Sequence, residues 1–174
     1  TAYSEASTLS DDTLVEQTEL TSDAASNVIQ TTLKQRYHNA TGTGELNGPS
    51  GPEPKSRITY TAAWHDPLGR VIATADYGTN GGTALLRADA IPERSDTVLV
   101  TSTSYNDAAE AFQSIDPAGR EDRQFFDAAG RTVKSVQNYV DGTVDIAHPD
   151  EDVTVEMTYG PDGQVPPLVA KHPP

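Results

Sequence analysis

Cysteine is absent from the 174-residue chain, which excludes disulfide frameworks, thiolate zinc sites and cysteine nucleophiles. Apolar residues are scarce: the hydrophobic fraction is 35% and the aromatic fraction 6%, below the roughly 45–50% apolar content, glycine included, of ordinary domains. A large dense core is therefore not expected; a thin sheet, or a sheet that leans on neighbours, is. Cations are few. Lys and Arg number 12 against 26 Asp and Glu, a net charge of −14. That balance speaks against nucleic acid, whose phosphates require basic patches, and against anionic membranes. No apolar run approaches the roughly 20 residues of a membrane helix, so no membrane insertion is expected. "TAYSEASTLS" has neither the basic start nor the apolar middle of a signal peptide. The start at Thr1, without Met, favours a processed or excised piece of something longer.

Helical periodicity is also nearly missing. "TALLRADA" at 83–90 is the best candidate, one or two turns at most. "DAAEAFQSI" at 107–115 looks helical by composition but reads as a turn and strand, because Tyr105 to Ala109 copy a unit found elsewhere. Gly (13) and Pro (12) break the chain often, which suits many short strands. In "RITYTAAW", Ile58, Tyr60, Ala62 and Trp64 share one face. In "DVTVEMTY", Val153, Val155, Met157 and Tyr159 do the same. This period of two marks half-buried strands. Strands are predicted at 13–21, 28–37, 57–65, 70–77, 97–105, 111–115, 120–126, 131–140, 152–159 and 164–170. The Gly- and Pro-rich stretch 39–56, the insertion 77–96 and the acidic stretch 141–152 read as long loops, which carry function or contact a neighbour. Residues 1–12 form an N-terminal extension, 13–170 the sheet region and 171–174 a tail.

One unit recurs: "HDPLGRV" at 65–71, "IDPAGRE" at 115–121 and "FFDAAGRTV" at 125–133. "SDAASNV" at 22–28, "NDAAEAF" at 106–112 and "GPDGQV" at 160–165 are degraded or shifted copies, the first with Ser26 in the glycine position. The unit spells a hairpin tip. The Asp side chain accepts backbone N–H groups two residues on and closes an Asx turn. The Gly takes the left-handed position of a type I turn with a G1 bulge. The Arg and the residue after it begin the return strand. Candidate turn residues are Asp66, Gly69 and Arg70; Asp116, Gly119 and Arg120; Asp127, Gly130 and Arg131; and Asp162 with Gly163. The aromatics Trp64, Tyr105, Phe126 and Tyr159 should pack on the sheet, and each Arg should lie over a ring or pair with a carboxylate across the strand.

An aromatic, an Asp, two residues, a Gly, an Arg and then an apolar residue or Thr, repeated between β-branched strands, resembles the YD repeat of the Rhs family. The similarity runs over roughly residues 13–170. It implies an antiparallel strip spiralling into a hollow β-shell, which encloses a C-terminal effector in toxin systems and forms surface structures in other members. The shell-closing core with self-cleaving aspartates has no counterpart in this sequence. The resulting expectation is an all-β antiparallel meander of hairpins in a curved open sheet, serving as a non-enzymatic scaffold in a bacterial secreted or cell-surface protein. Its partners would be neighbouring repeats or copies of itself, meeting at sheet edges, and an encapsulated effector in a larger chain.

Sheet edges give a second reading. Unpaired edge strands recruit a neighbour by β-augmentation, with "TLVEQTELT" as a donated strand in a self-assembling fibre subunit. Enzymatic readings find less support. His65 and Asp66 are adjacent on a strand and point to opposite faces. No Gly-x-Ser-x-Gly elbow occurs, and neither "GTGELNG" nor "GTNGG" continues as a phosphate loop. A cation site would need Asp145, Asp150, Glu151 and Asp152 to converge; a solvated acidic loop is the plainer expectation. Asn39-Ala40-Thr41 is a glycosylation sequon. No catalytic, cofactor-binding or metal-binding residue is expected.

Overall fold

Alternating burial along β3, Ser56–His65, organises the first half of the chain. Ser56, Tyr60, Ala62 and Trp64 are buried, while Arg57 and Thr61 face solvent. A computed structural model describes residues 10–160 and Gly163. The chain divides into two compact units, Thr1–Val100 and Thr101–Pro174. Strand pairing is antiparallel and follows chain order within each. This is the all-β hairpin meander that the sequence predicts.

In the first unit β1 (Glu16–Ser22), β2 (Val28–Arg36), β3 and β4 (Val71–Gly78) are consecutive neighbours. Ala62 and Trp64 of β3 join Ala73 and Ala75 of β4 and Val100 in one cluster, against which Ile72, Tyr77, Leu85 and Val98 pack. The small alanines let the indole and the insertion after β4 lie close to the sheet. The expected loop at 39–56 is irregular, yet it contributes Leu46, which is 0% exposed. Leu46 is held by its N–H, which donates to Gln17 Oε1 at 3.0 Å. Ser56 then donates both its N–H and its hydroxyl to the Asn47 carbonyl, at 2.8 and 2.7 Å.

The second unit holds most of β5 (Leu99–Tyr105), then β6 (Ala111–Ile115), β7 (Glu121–Phe126), β8 (Thr132–Gln137) and β9 (Val153–Glu156). The segment 107–115 is a turn and a strand, as its repeat content predicts. Val136 of β8 is buried. Predicted and observed strand ends differ where another contact or a left-handed residue takes the chain out of the ladder. β1 starts at Glu16 rather than at 13 because Thr13 bridges to Gly44. β8 ends at Gln137 because Asn138 takes φ 49°. β9 stops at Glu156, although the Met157 N–H still reaches the Val133 carbonyl at 2.8 Å. The strand predicted at 164–170 lies outside the described residues.

The helical reading of 83–90 is corrected. The only helical piece among the described residues is a 3₁₀ turn at Asn80–Gly82, and 84–88 has no regular structure. The reason is the job these residues do. The Ala88 and Asp89 carbonyls accept the Trp64 indole N–H at 3.3 and 3.0 Å. Arg87 lies 4.7 Å over the indole and donates to the Ala63 carbonyl at 3.2 and 3.0 Å. A segment with its carbonyls aimed at a side chain is not free to close a helix on itself.

Candidate functional site

The recurrent unit folds the same way in each of its three full copies. In the turn at 66–70 the Asp66 N–H donates to the Arg70 carbonyl and the Gly69 N–H to the Asp66 carbonyl, both at 2.9 Å. Asp66 Oδ1 accepts the Leu68 and Arg70 N–H groups at 2.9 and 3.0 Å. Its Oδ2 accepts Arg70 Nε and Nη2, both at 2.7 Å. Asp116 with Arg120 and Asp127 with Arg131 repeat the backbone bonds and the carboxylate–guanidinium fork. Gly69, Gly119 and Gly130 take φ of 77, 85 and 76°, the left-handed residue that a G1 bulge requires. The carboxylate partner of each arginine is therefore not across the strand, as the sequence suggests. It is the turn's own Asp, because the loop brings the fifth residue back beside the first.

Two degraded copies keep the geometry with other chemistry. Asp23 accepts the Ala25 and Asn27 N–H groups, both at 2.9 Å, and Asn27 Nδ2 at 3.0 Å; Ser26 takes φ 68° in place of glycine. In the turn at 106–110 the first residue is Asn106, not Asp107. Its Oδ1 accepts the Ala108 and Glu110 N–H groups, both at 3.0 Å, and its Nδ2 donates to the Glu110 carboxylate at 2.7 Å; Ala109 takes φ 65°. Donor and acceptor have changed places between first and fifth residue, and the clip survives. In the five clipped turns position five complements position one. At 160–163 the Gly163 N–H donates to the Gly160 carbonyl at 2.9 Å, and Gly163 takes φ 76°. Gly160 therefore stands in the first position; Asp162 lies outside the described residues.

All five clipped turns share one register. The residue before the first position pairs with the residue six further on: Ser22 with Val28, His65 with Val71, Tyr105 with Ala111, Ile115 with Glu121, Phe126 with Thr132. Successive turns at one end of a meander also touch. A Cβ added at Gly69 would meet Asn27 Oδ1 at 3.3 Å, and one at Gly130 would meet Glu110 Oε1 at 3.2 Å. The fifth residue of one turn thus lies against the glycine of the next turn on that end. Arg131 continues outward over the Tyr159 ring at 4.4 Å, while the Tyr159 hydroxyl donates to the Thr132 carbonyl at 2.8 Å. Trp64 is buried, and Tyr105, Phe126 and Tyr159 are half-buried, in keeping with the expected packing.

The exchange at 106–110 makes a prediction. Asn106→Asp sets two carboxylates against each other and should destabilise by about 1–2 kcal/mol. Adding Glu110→Arg rebuilds the Asp–Arg fork and should recover most of the loss, read as urea midpoints in a double-mutant cycle. If the double variant is no better than the single, position five does not answer to position one.

Clipped carboxylates titrate low. For Asp127 the Arg131 guanidinium is the largest cause and the Arg131 N–H the next. For Asp116 it is the Arg120 N–H, and for Asp23 the Asn27 side-chain amide. Burial pushes the Asp66 carboxyl up, but Arg70 and the turn N–H groups together hold it below its ordinary value. A depressed folded-state pKa adds stability that is present above the unfolded value, about 3.9, and lost as pH falls through the folded one. Urea midpoints should therefore hold down to about pH 4 and drop below it. Asp127→Asn should shallow that drop; an unchanged acid limb would show that the clip contributes nothing to it.

The acidic stretch does not converge on a cation. Among the described residues no group of three or more His, Asp or Glu is placed to hold a metal ion. Asp145 accepts the Ala147 N–H at 2.9 Å and contacts His148 Nδ1 at 3.1 Å. Asp152 is buried, 2% exposed, and takes the N–H groups of Val140, Asp141 and Gly142 at 3.0, 3.2 and 2.9 Å. No sequence pattern announced that role. A half-open cleft of about 710 Å³ lies in the first unit between the turns at 23–27 and 66–70. The Asp23 and Asp66 carboxylates, the Arg87 guanidinium and the Trp64 indole line it, and each is already engaged by hydrogen bonds within the fold. Against known proteins, no family model and no curated sequence matches the chain.

Proposed function

We propose that the chain is a non-enzymatic structural scaffold, a segment of a large bacterial shell or cell-surface protein built like the YD-repeat region of the Rhs family. One observation carries the reading: five hairpin tips share a single register and a single clip, through three different side-chain pairings. A feature kept through chemical substitution is kept for shape. Two pairs of turns that lie against each other, one pair in each unit, suit an array in which one hairpin seats the next. In that setting, an effector enclosed by a longer polypeptide and a secreted or surface location follow from the family resemblance.

A fibre subunit joined by β-augmentation is the second reading. It is favoured by β1, which pairs with β2 alone among the described residues and exposes Leu20 at 61%. Light scattering on a size-exclusion column separates the two. A monodisperse monomer over a wide concentration range supports the scaffold segment. Growth into oligomers that Leu20→Lys abolishes, by charging the edge, puts the fibre reading first.

A further inference from the structure

The connection from β8 to β9 is far longer than the pairing needs. Gln137 pairs with Val153, so a tight turn would join the strands, yet residues 138–152 intervene. Such loops are usually functional. This one is fixed from several sides. The buried Asp152 carboxylate collects three backbone N–H groups from 140–142, with φ 52° at Asp152 itself. The Asn138 N–H donates to Asp122 Oδ1 at 2.9 Å, and its side-chain amide donates to the Asp150 carbonyl at 3.0 Å. Tyr139 is clamped under Arg123 at 3.7 Å, and a Cβ at Gly142 would strike its ring at 3.3 Å.

The loop so fixed holds its apolar residues outward. Val140, Val144 and Ile146 are 59, 48 and 78% exposed. Single exposed apolar side chains are ordinary; this ordered loop exposes three, interspersed along the chain with Asp141, Asp145, Asp150 and Glu151. Ordering a loop before binding removes the entropy cost that would otherwise weaken association. We infer that the 138–152 loop is a recognition loop for a partner protein whose apolar pocket is rimmed by Lys and Arg. The acidic residues favour a basic partner, and a second copy of this chain, at −14, is repelled on balance. The inference stands on this loop alone and does not depend on the scaffold reading.

The probe is an amphipathic helical peptide of alternating Leu and Lys clusters, with a Ser–Lys peptide of equal charge as control. Binding to the whole chain is followed by fluorescence anisotropy at physiological salt. The Leu–Lys peptide should bind, and the Ser–Lys peptide should not. The double variant Val144→Ser, Ile146→Ser should weaken binding by about tenfold or more, and Asp141→Asn with Asp145→Asn should weaken it through a slower on-rate. Asn keeps the oxygen that accepts the Thr143 and Ala147 N–H groups from positions 141 and 145, and an unchanged thermal midpoint in each double variant verifies that the loop is retained. Equal binding of the two peptides, or an unchanged affinity in the Ser variant, overturns the inference, since net charge alone would then account for it.

Discussion

Trp64→Ala should destabilise the first unit by about 3–5 kcal/mol, the range for truncating a buried Trp. The indole is 4% exposed and forms the largest apolar body in its cluster. Its neighbours Ala62, Ala73 and Ala75 are too small to collapse into the space it leaves. The loss also reaches the insertion after β4: the Ala88 and Asp89 carbonyls lose their donor, and Arg87 loses the ring beneath it. Hydrogen exchange should therefore rise across 84–90 in the variant, beyond the fall in the unfolding midpoint. Trp64→Phe separates the two effects, keeping most of the packing while abolishing the N–H bond. Unchanged exchange in 84–90 in both variants would mean that the insertion is held by something other than this residue.

Gly130→Val should cost about 1–3 kcal/mol from backbone strain alone, because a β-branched residue resists φ of 76°. Its Cβ would also meet Glu110 Oε1 at 3.2 Å, so the carboxylate that accepts from Asn106 through Oε2 must shift. Gly119→Val is the internal comparison. Its φ is 85°, and a Cβ there would have no atom within 4 Å, so it carries the strain without the crowding. Chemical denaturation of the two variants should place Gly130→Val below Gly119→Val by a margin that Glu110→Ala narrows. Equal losses would show that the contact between successive turns contributes nothing to stability.

Turns were the most legible part of the sequence because a left-handed residue and a side-chain cap each demand particular residue types. Asp66, Gly69, Arg70 and their counterparts could be named, and the strands fell between them. Ser26 was legible too, since that copy keeps Asp-Ala-Ala and departs only at the glycine and arginine positions, Ser26 and Asn27. Asn106 was not, because a neighbouring Asp107 offered the expected letter one place late, and the complementarity with Glu110 appears only once the loop closes. Leu46 and Asp152 were hidden for another reason. Each sits in a stretch whose composition reads as solvent-exposed loop, and their burial depends on contacts distant in sequence: Gln17 for the first loop, the backbone at 140–142 for the second. The helical reading of 83–90 failed for the same reason, since residues with good helix propensity were claimed by Trp64.

The common register of the clipped turns has a kinetic side. At each clipped turn the two strands begin pairing six residues apart, so those hairpins close a short loop, whereas β2–β3 and β8–β9 must close the long connections at 37–55 and 138–152. Each clip gives its hairpin a nucleus that needs no other part of the chain. A polypeptide of this kind offers several equivalent local starting points for folding, although each hairpin gains lasting stability only when its neighbours pair with it. Adding or losing a hairpin would then change the length of the array while leaving its folding route intact.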